Sequence, residues 1–260
     1  MADLINDLIA EQSKTDVLVS GLTEEQWNIP IPDEETWTIK DAIVHIALYD
    51  YGTCEMLKGS EENVRIVVNK EGGTDEYKRS IKYRDMKGCD VLDWWRKTRT
   101  RMVAMFMDKN MKDKVNWAPG VPPMSVRSLL TARQMEMWAH SVDVRKALGV
   151  EVTVDDSITS TLFLSWQARA NAYRINGFAL PETPMYLELT LPSGELWTKG
   201  DKNDENYIVG DAKDWAMTAV RRINWRDTSL VVHGGEAERY ADIVQTYAGE
   251  AEAAPPPKKA

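Results

Sequence analysis

The chain has 260 residues, enough for one large domain or two modest ones, with an apolar content typical of packed soluble proteins and a formal net charge of −9. That acidic balance argues against a nucleic-acid partner, since phosphate binding relies on a basic face, and no stretch reaches the roughly 18–20 apolar residues of a membrane span. The acidic start, Met1-Ala-Asp-Leu-Ile-Asn-Asp7, is unlike a basic secretory leader, and two cysteines, Cys54 and Cys89, make no disulfide framework. The expectation is a cytoplasmic protein, monomer or homodimer, with no membrane partner.

Residues 2–20 read as an amphipathic helix through Leu4, Leu8, Val17 and Leu18. Gly21, Pro30 and Pro32 then mark turns, with Trp27 and Trp37 among them. Thr38-Ile-Lys-Asp41 is an N-cap followed by an acidic N3 residue, which predicts a second helix to about Lys58 carrying His45. Residues 59–88 are polar and glycine-containing, a long connection with short helical pieces. A third helix is predicted over roughly 89–109, through Val91, Leu92, Trp95, Met102 and Phe106.

After a loop from Asn116 to Pro123 comes the most regular stretch of the chain. Ser125 is a good N-cap, and Gly149 is a C-terminal stop. Between them Leu129, Leu130, Arg133, Met137, His140, Val144 and Leu148 recur at helical steps. Four helices, one reached by a long connection, make a bundle.

Beyond Gly149 the pattern changes. One helix is predicted over 156–175, strands over 185–191, 195–198, 206–209 and 229–232, and helices over 211–222 and 236–247. The tail from Glu250 to Ala260 is rich in Ala, Pro and Lys and reads as disordered. The predicted fold class is α+β: a four-helix bundle over residues 1–180, a small α+β domain over 181–249 and the tail over 250–260.

Of three histidines, two fall on apolar faces of bundle helices. His45 lies on the second helix, and His140 lies on the fourth, four residues after Glu136, so the carboxylate and that imidazole share one helix face. A bundle can bring these helices face to face around a divalent metal, leaving a coordination position open. Asp50 and Asp143 are near enough in sequence to support the ligands from behind. The third histidine, His233, follows a strand and reads as a solvated turn.

Trp37-Thr-Ile-Lys-Asp41-Ala-Ile-Val-His45-Ile-Ala-Leu-Tyr-Asp50, together with Ala132-Arg-Gln-Met-Glu136-Met-Trp-Ala-His140-Ser-Val-Asp143, resembles the DinB-like metal-binding superfamily. The branch it is most similar to contains mycothiol-dependent maleylpyruvate isomerase. Leu191-Pro-Ser-Gly-Glu-Leu-Trp-Thr198 and Gly210-Asp-Ala-Lys-Asp-Trp215 through Arg221-Arg222 resemble that branch's sterol-carrier-like second domain. The resemblance implies that His45, Glu136 and His140 bind a divalent metal, zinc first, with nickel or iron as alternatives. It also implies a catalytic arginine in the second domain, for which Arg222 and Arg221 are the candidates. A basic residue capping a helix end reads equally well there, and Ile223 stands where related sequences often carry histidine.

The function expected is that of a metal-dependent isomerase or transferase. It would activate an external low-molecular-weight thiol for isomerisation or S-transfer on a small unsaturated or activated acid. Cys54, nine residues after His45 and about 180° around the helix, faces away and is not expected to supply that thiol. Two alternatives keep the same site: a hydrolase or hydratase using metal-bound water, and a non-catalytic protein binding a metal and an apolar ligand.

Overall fold

Helix starts in this chain are written in local chemistry. The Thr38 side chain accepts from the Asp41 backbone N–H while the Asp41 carboxylate accepts from the Thr38 N–H, a reciprocal capping box. Ser125 Oγ accepts from Ser128 N–H at 3.0 Å. Gly149 ends the same helix in the left-handed conformation at φ 66°, open to glycine without steric cost. The computed structural model describes residues 2–32, 36–59, 82–117 and 123–258. Most of the predicted 59–88 connection lies outside the described residues.

Two compact units result, Met1–Val152 and Thr153–Ala260. In the first, the long helices are α1 (Ala2–Val19), α3 (Ile39–Leu57), α4 (Gly88–Met107) and α5 (Val126–Leu148), with a short α2 (Glu24–Trp27) between α1 and α3. α1 packs on α4 and α5, and α3 packs on the same two, so the four close into a bundle. Its core runs through Leu8, Ile39, Ile43, Ile46, Leu57, Trp95, Met102, Phe106 and Leu130, all fully buried. α2 and a two-residue antiparallel ladder, β1 (Lys114–Val115) with β2 (Met124–Ser125), carry too few residues to show a period in sequence.

The second unit begins with α6 (Thr159–Gln167) and α7 (Arg169–Ile175). The single helix expected over 156–175 is thus broken at Ala168, after a 3₁₀ turn at Asp156–Ile158. These helices pack on the later helical segments 212–219 and 235–243, so the second compact unit begins at Thr153 and not near residue 180. The reason is a set of long-range bonds: Trp215 Nε1 and Tyr240 OH donate to Ser165 Oγ and Ser165 O, and Tyr173 OH donates to Glu236.

The sheet comprises β3 (Tyr186–Thr190), β4 (Leu196–Lys199), β5 (Tyr207–Asp211) and β6 (Val231–His233) in the order β4-β3-β5-β6, antiparallel except for the β3–β5 pair. α8 (Ala212–Ala219) and α9 (Gly235–Ile243) complete the unit. The tail expected to be disordered has no regular structure over 251–257, but it is tied down. Asn224 Nδ2 donates to Pro255 O, and Lys258 N–H donates to Asp227.

Candidate metal centre

The candidate ligands come from the two helices with the clearest start signals. α3 carries His45 in its second turn, and α5 carries Glu136 and His140 one turn apart. Packing of α3 on α5 brings the three together, with one ligand atom from each within 4.8 Å of the others. Glu136 Oε2 lies 3.6 Å from both His45 Nε2 and His140 Nε2. The imidazole rings are 4.6 Å apart between centroids and tilted by 56°. Both histidines are buried and Glu136 is half-buried.

At 3.6 Å the carboxylate is within ion-pair reach of both rings but beyond good hydrogen-bond distance, so the three ligand atoms face one another across one small space. Burial pushes the Glu136 carboxyl up, but the imidazoles of His140 and His45 outweigh that and hold it well below the usual carboxylate range. Two imidazole nitrogens and one carboxylate oxygen form a donor set that suits a divalent metal. Among the described residues the cluster has three members, short of the four protein ligands that close a structural zinc site.

Asp143, one turn beyond His140, places Oδ2 3.0 Å from His140 Nδ1. Asp50 does not take the same part for His45. It is drawn into an ion pair with Arg133, whose Nε and Nη2 reach Asp50 Oδ1 at 3.2 and 2.9 Å. Sequence distance placed both acids near the ligands. Helical period separates them, since Asp143 is three residues from His140 and Asp50 five from His45, and the packing of α3 on α5 then supplies Arg133.

Two aromatic residues complete the walls. Trp37 stacks on His140 with ring centroids 5.7 Å apart and a 15° tilt, and its ring also lies 5.2 Å from His45. Tyr49 packs on His45 at 4.5 Å, one helical turn further along α3. The signals for them were faint: Trp37 immediately precedes the N-cap of α3, and Tyr49 stands four residues after His45.

Cys54 is fully buried on α3, and burial pushes its thiol up to about 11. Cys89 is exposed in the first turn of α4, its thiol against the Asp90 carboxylate. Arg221 and Arg222 belong to the second unit and lie past the end of α8, not within a helix reaching 222. Arg221 N–H donates to Thr218 O and Arg222 N–H to Met217 O, a Schellman turn. Arg221 occupies its left-handed position at φ 61°, where glycine is usual. Its guanidinium is buried, donating from Nη1 to Asp242 O, with no partner for Nε among the described residues. Arg222 is half-buried and donates from Nη1 to Val220 O.

Comparison with known proteins agrees with this architecture. Two crystal structures of the mycothiol-dependent maleylpyruvate isomerase, one of a histidine-to-alanine variant, superpose with TM-scores of 0.56 and 0.59. Each is 15% identical to this chain, covering 85% of it and 89% of the solved chain, which shows a shared fold. Uncharacterized proteins from two strains of Mycobacterium tuberculosis are 30% identical over 256 residues, 96% of this chain and 98% of theirs. Residues 8–145, more than half of the chain, match the model of the mycothiol maleylpyruvate isomerase N-terminal domain. The stretch from α1 to the last turns of α5, with His45, Glu136 and His140 inside it, thus places the chain in the mycothiol maleylpyruvate isomerase N-terminal domain family.

Proposed function

We propose that this protein is a divalent-metal-dependent enzyme acting with an external low-molecular-weight thiol on a small unsaturated or activated acid, by isomerisation or S-transfer. The observation that carries the reading is the convergence of His45, Glu136 and His140 within 4.8 Å in a chain of this family. A divalent metal there, zinc being the best match to two imidazoles and a carboxylate, supplies Lewis acidity that lowers the pKa of a thiol toward neutrality.

The residues divide the remaining work. His45 and His140 present nitrogen donors from two helices, and the Asp143 carboxylate keeps the proton of His140 on Nδ1, leaving Nε2 as the donor atom. Trp37 covers the face of the His140 ring and packs, tilted, against His45. The thiol comes from outside, because Cys54 is buried and its thiol stays protonated at neutral pH. A carboxylate of the substrate is held by an arginine fork. Arg222 is the first choice, since the guanidinium of Arg221 is buried against Asp242 O. In isomerisation the thiolate adds to the double bond, the resulting single bond rotates, and the thiolate leaves as the double bond re-forms. Thiol and electrons are both returned.

The test is elemental analysis of protein purified without chelator, beside the Glu136→Ala variant, followed by assay of maleylpyruvate with and without mycothiol. About one metal per chain, lost in the variant, with turnover only when thiol is present, is the expected result. Turnover without thiol would replace this reading with hydrolysis or hydration at the same centre. No metal in either sample would leave a non-catalytic binding protein.

A further inference from the structure

We infer that the buried Arg133–Asp50 ion pair is the positioning element of the His45/Glu136/His140 centre, holding α3 and α5 in the register that brings the three ligand atoms together. The inference rests on the reading of that centre as a metal site.

The pair joins the two ligand-bearing helices to each other. Asp50 is five residues beyond His45 on α3, about 7.5 Å along the axis, and Arg133 is three residues before Glu136 and seven before His140 on α5. Advancing along one helix meets stepping back along the other, so the ion pair and the ligand cluster are successive rungs of one antiparallel contact. A slip of either helix by one residue, about 1.5 Å, would break both. The link also reaches a ligand through side chains. The Arg133 guanidinium lies 5.8 Å from the centroid of the Tyr49 ring, and that ring lies 4.5 Å from the His45 imidazole.

Stability alone is a poor reason for such a pair. The Arg133 and Asp50 side chains are 4% and 2% exposed, so both charges have lost their water. Among the described residues Asp50 Oδ2 has no hydrogen-bond partner. Apolar residues of the same volume commonly serve a core as well or better. What they would not supply is direction. Two N–H groups aimed at one oxygen fix the rotation and axial position of α5 on α3, which a sliding apolar contact leaves softer.

The test compares the full-length protein with Arg133→Lys and with the paired replacement Asp50→Leu/Arg133→Met, which leaves no unpaired buried charge. Two quantities are read: affinity for Co²⁺ by competition with a chelator, and the imidazole ¹H–¹⁵N signals of the metal-free protein. His233, in the second unit, is the internal reference. The paired variant is expected to fold with a melting temperature near that of the parent, yet to bind Co²⁺ about 10–100-fold more weakly. The His45 and His140 signals are expected to shift while that of His233 stays. Arg133→Lys, which keeps the charge without the fork, should fall between.

Unchanged affinity with unchanged imidazole signals in the paired variant would overturn the inference, and if that variant does not fold, the same result in Arg133→Lys would. If the parent itself binds no Co²⁺, the metal reading fails, and the imidazole signals alone decide whether the pair positions the rings.

Discussion

Asp143 Oδ2 lies 3.0 Å from His140 Nδ1, one helical turn along α5 and on the side of the ring away from Glu136. A carboxylate accepts and does not donate, so Nδ1 carries a proton in this bond, while Nε2 is the ring nitrogen that faces Glu136. Replacing Asp143 with Ala should therefore leave the helix folded and weaken metal affinity by about 10–100-fold, measured by chelator competition. Parent-like affinity would show that the bond serves packing only.

The two cysteines should separate cleanly. With its thiol pushed up to about 11, Cys54 is ionised to only about one part in a thousand at pH 8, and it is fully buried. Iodoacetamide at that pH should alkylate the exposed Cys89 and spare Cys54, as peptide mass mapping would reveal. Turnover supported by added thiol should survive Cys54→Ser. Its loss would place the nucleophile inside the protein.

Arg222→Ala should leave metal content and melting temperature unchanged while raising KM for an acidic substrate about tenfold or more, the worth of a charge-assisted bond. Arg221→Ala should instead lower the melting temperature, because it removes the buried donor to Asp242 O without relieving the left-handed backbone. If the KM effect followed Arg221 and not Arg222, the assignment would pass to that residue.

Gly88 opens α4 against the indole of Trp27: a Cβ built there would lie 2.1 Å from Trp27 Cδ1. Its backbone N–H also donates to Glu24 Oε2 at 2.8 Å, so the start of α4 is fastened to α2. Gly88→Ala is expected to destabilise the first unit by about 1–3 kcal/mol through overpacking, read as a lower thermal midpoint with unchanged metal content. A neutral midpoint would mean that Trp27 has room to retreat.

Acid stability should depend on Asp16. The hydrogen bond from Arg96 holds its carboxyl well below the usual range, with Ser20 and Arg99 adding to it against the opposing effect of burial. A lowered folded-state pKa means the folded chain binds this proton less readily than the unfolded one. The stabilisation is thus complete above the ordinary carboxylate range and declines progressively from about pH 4 downward, until the pH passes the much lower folded-state value. Asp16→Asn should lower stability at pH 7 and flatten this acid limb in urea titrations run from pH 7 to pH 3. An unchanged limb would assign the acid sensitivity to other carboxylates.

The start and end of the bundle helices were legible because caps are local. Thr38 with Asp41, Ser125 with Ser128, and Gly149 each satisfy a helix terminus with atoms a few residues away. The Glu136/His140 pair was legible for the same reason, since helical period alone sets two side chains on one face. Its partner His45 was selected by chemistry and by the family resemblance, and only the packing of α3 on α5 brings it within reach of the other two. Asp143 stays with His140 because the two are three residues apart on one helix, whereas Asp50, five residues past His45, is turned away from it, and only the packing gives it Arg133. Ser165, three residues before the break at Ala168, and Arg221 also have distant partners, Trp215 and Tyr240 for the one and Asp242 for the other. Backbone periodicity and capping act over one or two helical turns and are written in order along the chain. Contacts between residues 80 or 90 positions apart, such as Asp50 with Arg133 or His45 with Glu136, exist only once the helices have packed.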